Sequence, residues 1–326
     1  MKLAVAIALL FLAACGGAWA AASPRVEKVR LDGKEYVRLD QWARANSFSL
    51  KWLSGQDLLV SKPGRRLQFT TDSKRLLLDG ITVLLSEPVR AQNGVPYLAN
   101  LDLTTVINPI LYPPRGRARS QIKHICLDPG HGGKDIGKSN GGEHEKKYAL
   151  LLAQELGAQL RKAGYTVSYT RTTDTTLDLP DRPEIARRKG ADLFVSLHFN
   201  SAGAGGSGVQ GAEVYCMTPR NARSTNDRGE GPRTAGYLGN ANDARNMVLA
   251  YEIQRAIVRD AGSEDRGVKR ARFAVLRDAP MPSVLIEAGF MSNPAEARKI
   301  YSATWRRQMA QAIATGIIRY QKLIQP

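Results

Sequence analysis

The sequence predicts an α/β protein: a mainly parallel sheet flanked by helices on both faces, preceded by a small β-rich domain. Two observations lead to this prediction. After residue 121, short apolar runs typical of buried strands alternate with longer segments of helical periodicity, a pattern that produces parallel sheets. Before residue 112, short runs are separated by pairs such as Asp-Gly and Pro-Gly, which are typical of turns between strands.

Composition indicates a globular protein with a polyanionic neighbour. The 326 residues are 43% hydrophobic and only 24% charged, which leaves room for two domains with a sizeable core. Lys and Arg number 47 against 30 Asp and Glu, a formal net charge of +17. Nucleic acid, anionic lipid and the acidic polymers of a bacterial envelope would all attract such a chain, and charge alone does not choose among them.

The first 22 residues have the pattern of a signal peptide. Met1-Lys2 is followed by the apolar run Leu3 to Ala14, which is too short to cross a bilayer permanently. Two processing patterns overlap. A lipobox ending at Cys15 would remove residues 1–14 and lipidate Cys15, whereas Ala18-Trp19-Ala20 offers an ordinary cleavage site. The prediction is an exported protein of the periplasm or cell envelope, touching a membrane only through a lipid anchor if Cys15 is modified.

Residues 26–111 are predicted to form the small β-rich domain. Its two halves echo each other, since Asp32-Gly33 and Asn93-Gly94 each precede a strand that leads into a helix-like segment, with Asp102 placed as a helix cap. This half-repeat resembles the small domain at the start of copper amine oxidases. No histidine occurs here, so the resemblance implies an adaptor or wall-binding module without a ligand set, and plain structural packing is the favoured alternative.

A proline-broken linker, 112–121, precedes the predicted catalytic domain, 122–326. Within that domain Cys126 and Cys216 lie in apolar, strand-like runs, where buried reduced thiols are expected unless the two strands are neighbours. Helices are predicted from 145 to 163, after Pro180, from 243 to 259, after the cap Asn293, and at the end of the chain. Strands are predicted at 122–127, 166–170, 192–198, 212–217 and 283–287.

All four histidines lie between residues 124 and 198, which suggests a metal site, although a lone histidine is more often structural. His131 follows an apolar strand within Asp-Pro-Gly-His-Gly-Gly, where glycines let the backbone turn sharply. His198 ends the strand that begins near residue 192. His124 and His144 are assigned to the surface or to the surroundings of the site.

Two carboxylates accompany these histidines. Glu287 ends an apolar run as His198 does, and ligands of parallel sheets sit at the carboxyl ends of strands. Glu145 begins a predicted helix, and taken alone it would merely favour the helix dipole. Together, His131, Glu145 and His198 form the ligand set of a catalytic zinc site, which leaves Glu287 as a base.

At this point the chain is similar to the zinc-dependent N-acetylmuramoyl-L-alanine amidases (amidase type 3, cell-wall hydrolases). The resemblance covers roughly residues 122 to 320. Its motifs are Leu-Asp-Pro-Gly-His-Gly-Gly at 127–133, Glu-Lys at 145–146, Thr-Arg at 170–171, Leu179 and Arg182, Ala-Asp-Leu-Phe-Val-Ser-Leu-His-Phe-Asn at 191–200, Arg-Gly-Val-Lys at 266–269, Val-Leu-Arg at 275–277 and Ile-Glu-Ala-Gly-Phe-Met-Ser-Asn at 286–293.

The resemblance implies hydrolysis of the amide between the lactyl group of N-acetylmuramic acid and L-alanine in peptidoglycan. Zinc would be held by His131, Glu145 and His198, with Glu287 as the catalytic carboxylate. Peptidoglycan is the implied partner, with an activating envelope protein as a second; no nucleic acid is expected, because no recognised binding motif accompanies the charge. Whether the stretch 218–242, including Glu230, blocks the site is left open.

Two other functions remain in view. A zinc peptidase that cuts between stem residues would use the same metal chemistry, because a metal site does not itself choose among amides. A non-catalytic wall binder would need only the basic surface and the first domain. The complete set of two histidines and two glutamates argues against a pure binder.

Overall fold

The computed structural model describes residues 26–115, 121–203, 206–226 and 230–325. The predicted signal peptide, including Cys15, lies outside the described residues. The predicted domain boundaries stay predictions.

The N-terminal region is built mainly from antiparallel hairpins. Strands β1 and β2 pair with β9 and β8 in a four-stranded sheet, while β3 to β7 form a meander in which each strand pairs with the next. Its elements are β1 Lys28–Leu31, β2 Lys34–Arg38, α1 Leu39–Ala45, β3 Ser49–Trp52, β4 Asp57–Lys62, β5 Arg65–Thr70, β6 Arg75–Leu78, β7 Ile81–Leu84, β8 Arg90–Gln92, β9 Val95–Ala99, α2 Asn100–Asp102, a π-helical turn Leu103–Ile107 and α3 Asn108–Leu111.

The C-terminal region alternates strands and helices as predicted. Its elements are β10 His124–Pro129, β11 Ser139–Asn140, β12 Glu143–His144, α4 Glu145–Lys162, β13 Thr166–Tyr169, α5 Asp181–Arg188, β14 Leu193–Asn200, β15 Ala212–Met217, a 3₁₀ turn Leu238–Asn242, α6 Asp243–Asp260, β16 Asp265–Ala271, α7 Ala274–Arg277, β17 Ser283–Phe290, α8 Pro294–Tyr301 and α9 Ala303–Ile324. The strand order is β13-β10-β14-β17-β15-β16, and only the β15–β17 pair is antiparallel.

Helices cover both faces of this sheet, but unequally. Helices α4, α6 and α9 pack on the face to which Val195 and Ile286 point, and we call it the apolar face. The shorter α5 and α7 pack on the face to which Phe194 and Leu285 point, and we call it the site face. Because side chains alternate along a strand, each strand contributes to both faces. The predicted α/β class, with a mainly parallel sheet between helices, is confirmed.

The two regions share one continuous sheet. Strand β7 of the meander pairs in parallel with β16, opposite Val268, so that eleven strands run from β13 to β3. Arg270 of β16 crosses this junction and is only 1% exposed. Its guanidinium donates to the Ser86 Oγ at 3.1 Å and to the Thr105 carbonyl at 2.8 Å, and it lies 3.5 Å from the Asp102 carboxylate. The junction is therefore a buried, hydrogen-bonded interface.

Three local expectations meet different outcomes. Asp102 lies within a helix rather than at its cap, because its carboxylate accepts the backbone N–H groups of Ser86 and Glu87 instead. Asn293 does cap a helix, as predicted, by accepting from the backbone of residues 295 and 296. Cys126 and Cys216 are both buried and free, since two strands separate β10 from β15, and burial raises the pKa of each thiol to about 11.

Within the described residues, no helix combines the length and apolarity needed to cross a membrane.

Candidate metal and catalytic site

The site lies where strands β10, β14 and β17 end. On the site face, the strand residues nearest the site are polar. They alternate along their strands with residues of the apolar core, and they are Asp128, Ser196, His198, Glu213 and Glu287. His198, Glu213 and Glu287 are register partners on three adjacent strands. Since opposed residues of paired strands share a face, these three side chains point to the same side of the sheet.

His131 is presented by a tight loop after β10. Its own φ is 59°, and those of Gly132 and Gly133 are 130° and 58°, so three consecutive residues have positive φ. This turn requires glycine, as the sequence analysis predicted. A Cβ on Gly130 would collide with the His198 ring, which shows how closely the loop backbone approaches the second histidine.

Glu145 begins α4 and reaches back to both histidines. Its Oε1 lies 3.0 Å from the Nε2 of His131 and 3.0 Å from the Nδ1 of His198. The three candidate ligand atoms all lie within 4.8 Å of one another. Two backbone N–H groups also hold the carboxylate, from Phe199 to Oε1 at 3.0 Å and from Lys138 to Oε2 at 2.9 Å.

Protonation of these groups follows their contacts. Burial opposes ionisation of Glu145, but hydrogen bonds from His131 and His198 outweigh it and lower the pKa of the carboxyl. Burial likewise opposes protonation of His131, but Glu145 and Asp135 raise the pKa of the imidazole. In this geometry two imidazole nitrogens and one carboxylate oxygen converge on a single point.

Asp135 was missed by the sequence analysis. Its Oδ2 lies 2.8 Å from the Nδ1 of His131, so it orients the ring and leaves Nε2 for the site. The sequence feature that could have indicated this contact is the four-residue spacing between His131 and Asp135, but such a spacing is too common in turns to identify a pair by itself.

Two buried arginines also hold the histidine loop. Arg182 of α5, only 2% exposed, donates to the carbonyls of Pro129 and His131 at 3.0 and 2.9 Å and to the Asp128 carboxylate at 2.9 Å. Arg171 donates to the carbonyls of Pro129 and Gly130 at 3.0 and 2.7 Å. The sequence analysis noted both arginines only as motif members. The structure shows that their guanidinium groups bind the backbone carbonyls of residues 129–131, which lead into the loop.

Glu287 lies beside the convergent set and is half-buried. Its Oε2 is buried and has no hydrogen-bond partner among the described residues. Burial raises the pKa of Glu287 well above its ordinary value; the charges of Glu145 and Glu213 add to the shift and Lys269 opposes it. A carboxyl oxygen without a partner in the protein is free to exchange a proton with a bound substrate.

Glu213, behind Glu287, is fully committed to hydrogen bonds. Its Oε1 accepts from the Asn200 amide and the Tyr215 hydroxyl, both at 2.7 Å, and its Oε2 accepts from Lys269 at 2.6 Å and Arg266 at 3.2 Å. The sequence analysis did not select this residue. Since its lone pairs are occupied, Glu213 anchors the strands around Glu287 rather than competing for its role.

The other histidines lie apart from the convergent set. His124 pairs with the Ser168 Oγ at 2.8 Å, at the opposite end of β10. His144 immediately precedes α4, and its Nδ1 is buried without a partner among the described residues. Glu230 does not line the cleft either, because its carboxylate accepts from Ser224 at 2.8 Å and lies 3.6 Å from Arg272.

A cleft of about 620 Å³ opens over the site. His131, Glu145, His198 and Glu287 line it, and its wall includes the apolar side chains of Leu179 and Phe273. Such a volume accepts a small segment of a polymer rather than a single ion.

Comparison with known proteins identifies the family. Residues 125–319 match the model of the family described as N-acetylmuramoyl-L-alanine amidase. The chain belongs to this family. The match covers all four site residues and, apart from His124, the strands from β10 to β17.

Individual relatives agree with this family. The chain is 37% identical over 234 residues to the N-acetylmuramoyl-L-alanine amidase AmiC of Neisseria meningitidis, an alignment that covers 64% of this chain and 55% of that protein. It is 32% identical over 288 residues to the N-acetylmuramoyl-L-alanine amidase AmiA of Salmonella typhimurium, covering 81% and 93%. The chain therefore spans about half of the first relative and nearly all of the second.

A solved structure gives the same result. The crystal structure of N-acetylmuramoyl-L-alanine amidase from Clostridium difficile 630 superposes with a TM-score of 0.52 at 31% identity, covering 62% of this chain and 98% of that chain. The comparisons confirm the predicted family, hydrolase class and fold class.

Proposed function

We propose that this amidase is zinc-dependent and hydrolyses the amide between the lactyl group of N-acetylmuramic acid and L-alanine of peptidoglycan. His131, Glu145 and His198 hold the metal, and Glu287 carries the protons. The observation that supports this most is the convergence of three ligand atoms within 4.8 Å beside Glu287, whose buried Oε2 has no hydrogen-bond partner in the described ranges.

The donor set fits zinc. Two imidazole nitrogens and one carboxylate oxygen are ligands that catalytic zinc sites use, with a further position left for water or substrate. Asp135 fixes the orientation of His131, and two backbone N–H groups hold Glu145, so contacts within the protein orient two of the three proposed ligands.

Zinc held by His131, Glu145 and His198 would supply Lewis acidity, which would lower the pKa of a bound water to ~7 and polarise the amide carbonyl. Glu287 accepts a proton from the attacking water as the carbon–oxygen bond forms. It then delivers this proton to the amide nitrogen, because an amine leaves poorly unless it is protonated. The position of Glu287 suits both steps, since it lines the same cleft as the three proposed ligands and its Oε2 has no partner among the described residues.

A zinc peptidase is the competing enzyme, since the same residues could cleave between stem residues. Mass analysis of digested wall distinguishes the two. Glycans carrying free lactyl groups, released with intact stems, support the amidase, whereas shortened stems still attached to sugar would contradict it.

The direct test combines zinc content with dye release from labelled sacculi. We expect about one zinc per chain and release of dye that stops on chelation and returns with added zinc. Full release in the presence of a strong chelator would overturn the zinc proposal. A chain that binds wall without zinc and without release would instead be a non-catalytic binder.

We further propose export to the periplasm or envelope, directed by residues 1–22. The intact mass of the mature protein decides between the two processing patterns, because lipidation at Cys15 adds acyl chains and cleavage after Ala20 removes the cysteine altogether. An activating envelope protein stays a prediction, and adding envelope extracts to the dye-release assay tests it.

A further inference from the structure

A large basic groove lies outside the catalytic region. It has a volume of about 1180 Å³ and is lined by the outward residues of strands β4 to β6, by the two turns that follow β4 and β6, and by the last turns of α6. Its cationic residues are Lys62, Arg65, Arg66, Arg255 and Arg259, against the single carboxylate of Asp79.

Internal ion pairs neutralise only part of this charge. Arg65 contacts the Asp79 Oδ2 at 2.7 Å, and Arg255 contacts the Glu252 carboxylate behind the groove at 2.6 Å. Lys62, Arg66 and Arg259 form no ion pair among the described residues. Three positive charges therefore remain uncompensated in one concave surface.

Contacts within the fold hold the backbone and two cations of the groove. Asp79 accepts the backbone N–H of Arg66 at 2.8 Å, while its own carbonyl accepts from Arg259 at 2.9 Å. Lys62 lies 4.3 Å from the centroid of the Phe48 ring and donates to the Asn46 carbonyl at 3.4 Å. The Arg259 contact joins the turn after β6 to the end of α6, and the Lys62 contacts join β4 to the segment before β3.

The position of the groove suggests what it binds. Strand β5 is five positions from β17 in the sheet order, which at about 4.8 Å per strand places the groove roughly 24 Å to the side of Glu287. A polymer bound at the active site extends at least this far, and peptidoglycan repeats an acidic stem peptide along each glycan strand. A concave surface suits a narrow chain better than the flat face of a bilayer.

We propose that this groove binds the stem-peptide carboxylates of a neighbouring segment of peptidoglycan. The inference rests on the proposed function, because it takes the same polymer as ligand. Guanidinium groups match carboxylates through paired N–H donors, and four arginines line the groove, of which Arg66 and Arg259 are exposed. The groove would raise affinity for the polymer while leaving the chemistry at Glu287 unchanged.

Charge reversal tests the groove. The variant Arg66→Glu/Arg259→Glu is compared with Lys123→Glu/Lys162→Glu, which makes the same charge change at two exposed lysines. Neither lysine forms an ion pair within the described part of the chain, and both lie near the start of β10, away from His131. Cosedimentation with intact sacculi, at low salt and with a chelator to prevent digestion, measures binding. We expect the groove variant to bind about tenfold more weakly and the control to stay within about twofold of the parent.

Two further arms identify the ligand. Converting the wall carboxylates to neutral amides should weaken binding by the parent and remove the difference between parent and groove variant. Phosphatidylglycerol vesicles should bind the groove variant and the control alike, since both carry the same net charge. Equal weakening of both variants, unchanged binding by the groove variant, or a loss confined to vesicles would each overturn the proposal.

A soluble muramoyl peptide separates this inference from the proposed function. The substrate is too small to reach the groove, so parent, groove variant and control should hydrolyse it at the same rate. If the parent does not hydrolyse it, the amidase proposal fails while the sedimentation result stands. If only the groove variant is slowed, the groove acts through the active site and the docking role is wrong.

Discussion

The two faces of the C-terminal sheet are built from the same strands but serve different purposes. On the apolar face, Val195 and Ile286 pack under three long helices. On the site face, the next residue along each strand is polar, and only two short helices cover it. Chemistry is therefore concentrated where the helix layer is thin, and the thick layer opposite keeps the strands in place.

The largest expected effect concerns proton transfer on the site face. Replacing Glu287 with Gln keeps the side chain's size but removes the base, so turnover should fall ~10²- to 10⁴-fold. Zinc content should be unchanged, because Glu287 is not among the proposed ligands. The matched control is Glu155→Gln, a partly exposed position on α4. Near-normal dye release by Glu287→Gln would remove this residue from the mechanism.

The neighbouring residue tests the apolar face. Ile286 is fully buried, so Ile286→Ala should lower the free energy of unfolding by about 2–5 kcal/mol through lost packing and a residual cavity. Denaturant titration measures this. Activity per folded molecule should stay within about twofold, since the side chain points away from the cleft. A loss of turnover that exceeds the loss of folded protein would show that the faces are not independent.

Arg182 tests how strongly the loop depends on its buried support. Arg182→Lys keeps the charge but cannot reach the same set of carbonyls, so zinc affinity should fall about 10- to 100-fold in a chelator competition. Arg188→Lys, an exposed position on the same helix, is the control and should change little. Unchanged zinc affinity in Arg182→Lys would mean that the loop holds His131 without help.

The smallest expected effect concerns a carboxylate near the apolar face. Burial raises the pKa of Asp243 from 3.8 to about 6, so the folded state binds its proton more tightly than the unfolded state does. Its contribution to stability is complete below pH ~4 and is lost as the pH rises to about 6. Asp243→Asn should therefore raise stability at pH 7 by on the order of 1–2 kcal/mol. Denaturant titration of parent and variant at pH 4 and pH 7 measures this. If the free energies of unfolding of the two proteins differ by the same amount at both pH values, the prediction is wrong.

Sequence reasoning succeeded where local patterns carry the information. The alternation of strands and helices predicted the parallel sheet, and the glycine-rich loop indicated His131. Strand β16 was not among the predicted strands, because Lys269 and Arg270 make it look exposed although both are buried. Lys269 pairs with Glu213 and Arg270 with Asp102. Both partners are distant in the sequence, so no local pattern predicts these ion pairs.

The sequence also did not predict that the two regions share one continuous sheet. Pairing of β7 with β16 joins residues 83 and 268, and nothing near either residue signals the other. The sequence analysis missed Asp135 and noted Arg182 only as a motif member for the same reason, since the roles of both residues depend on which atoms they contact. Sequence thus predicted residue types at strand ends, whereas the contacts that hold them arise only from the assembled fold.

The junction between β7 and β16 has a consequence for anyone who shortens this chain. A fragment beginning at residue 122 would leave the outer hydrogen-bonding groups of β16 open along a free edge, and such edges promote self-association. Arg270 would also lose Asp102, Ser86 and Thr105 together. Truncation at the linker would therefore yield an aggregation-prone product even though every proposed zinc ligand remained present.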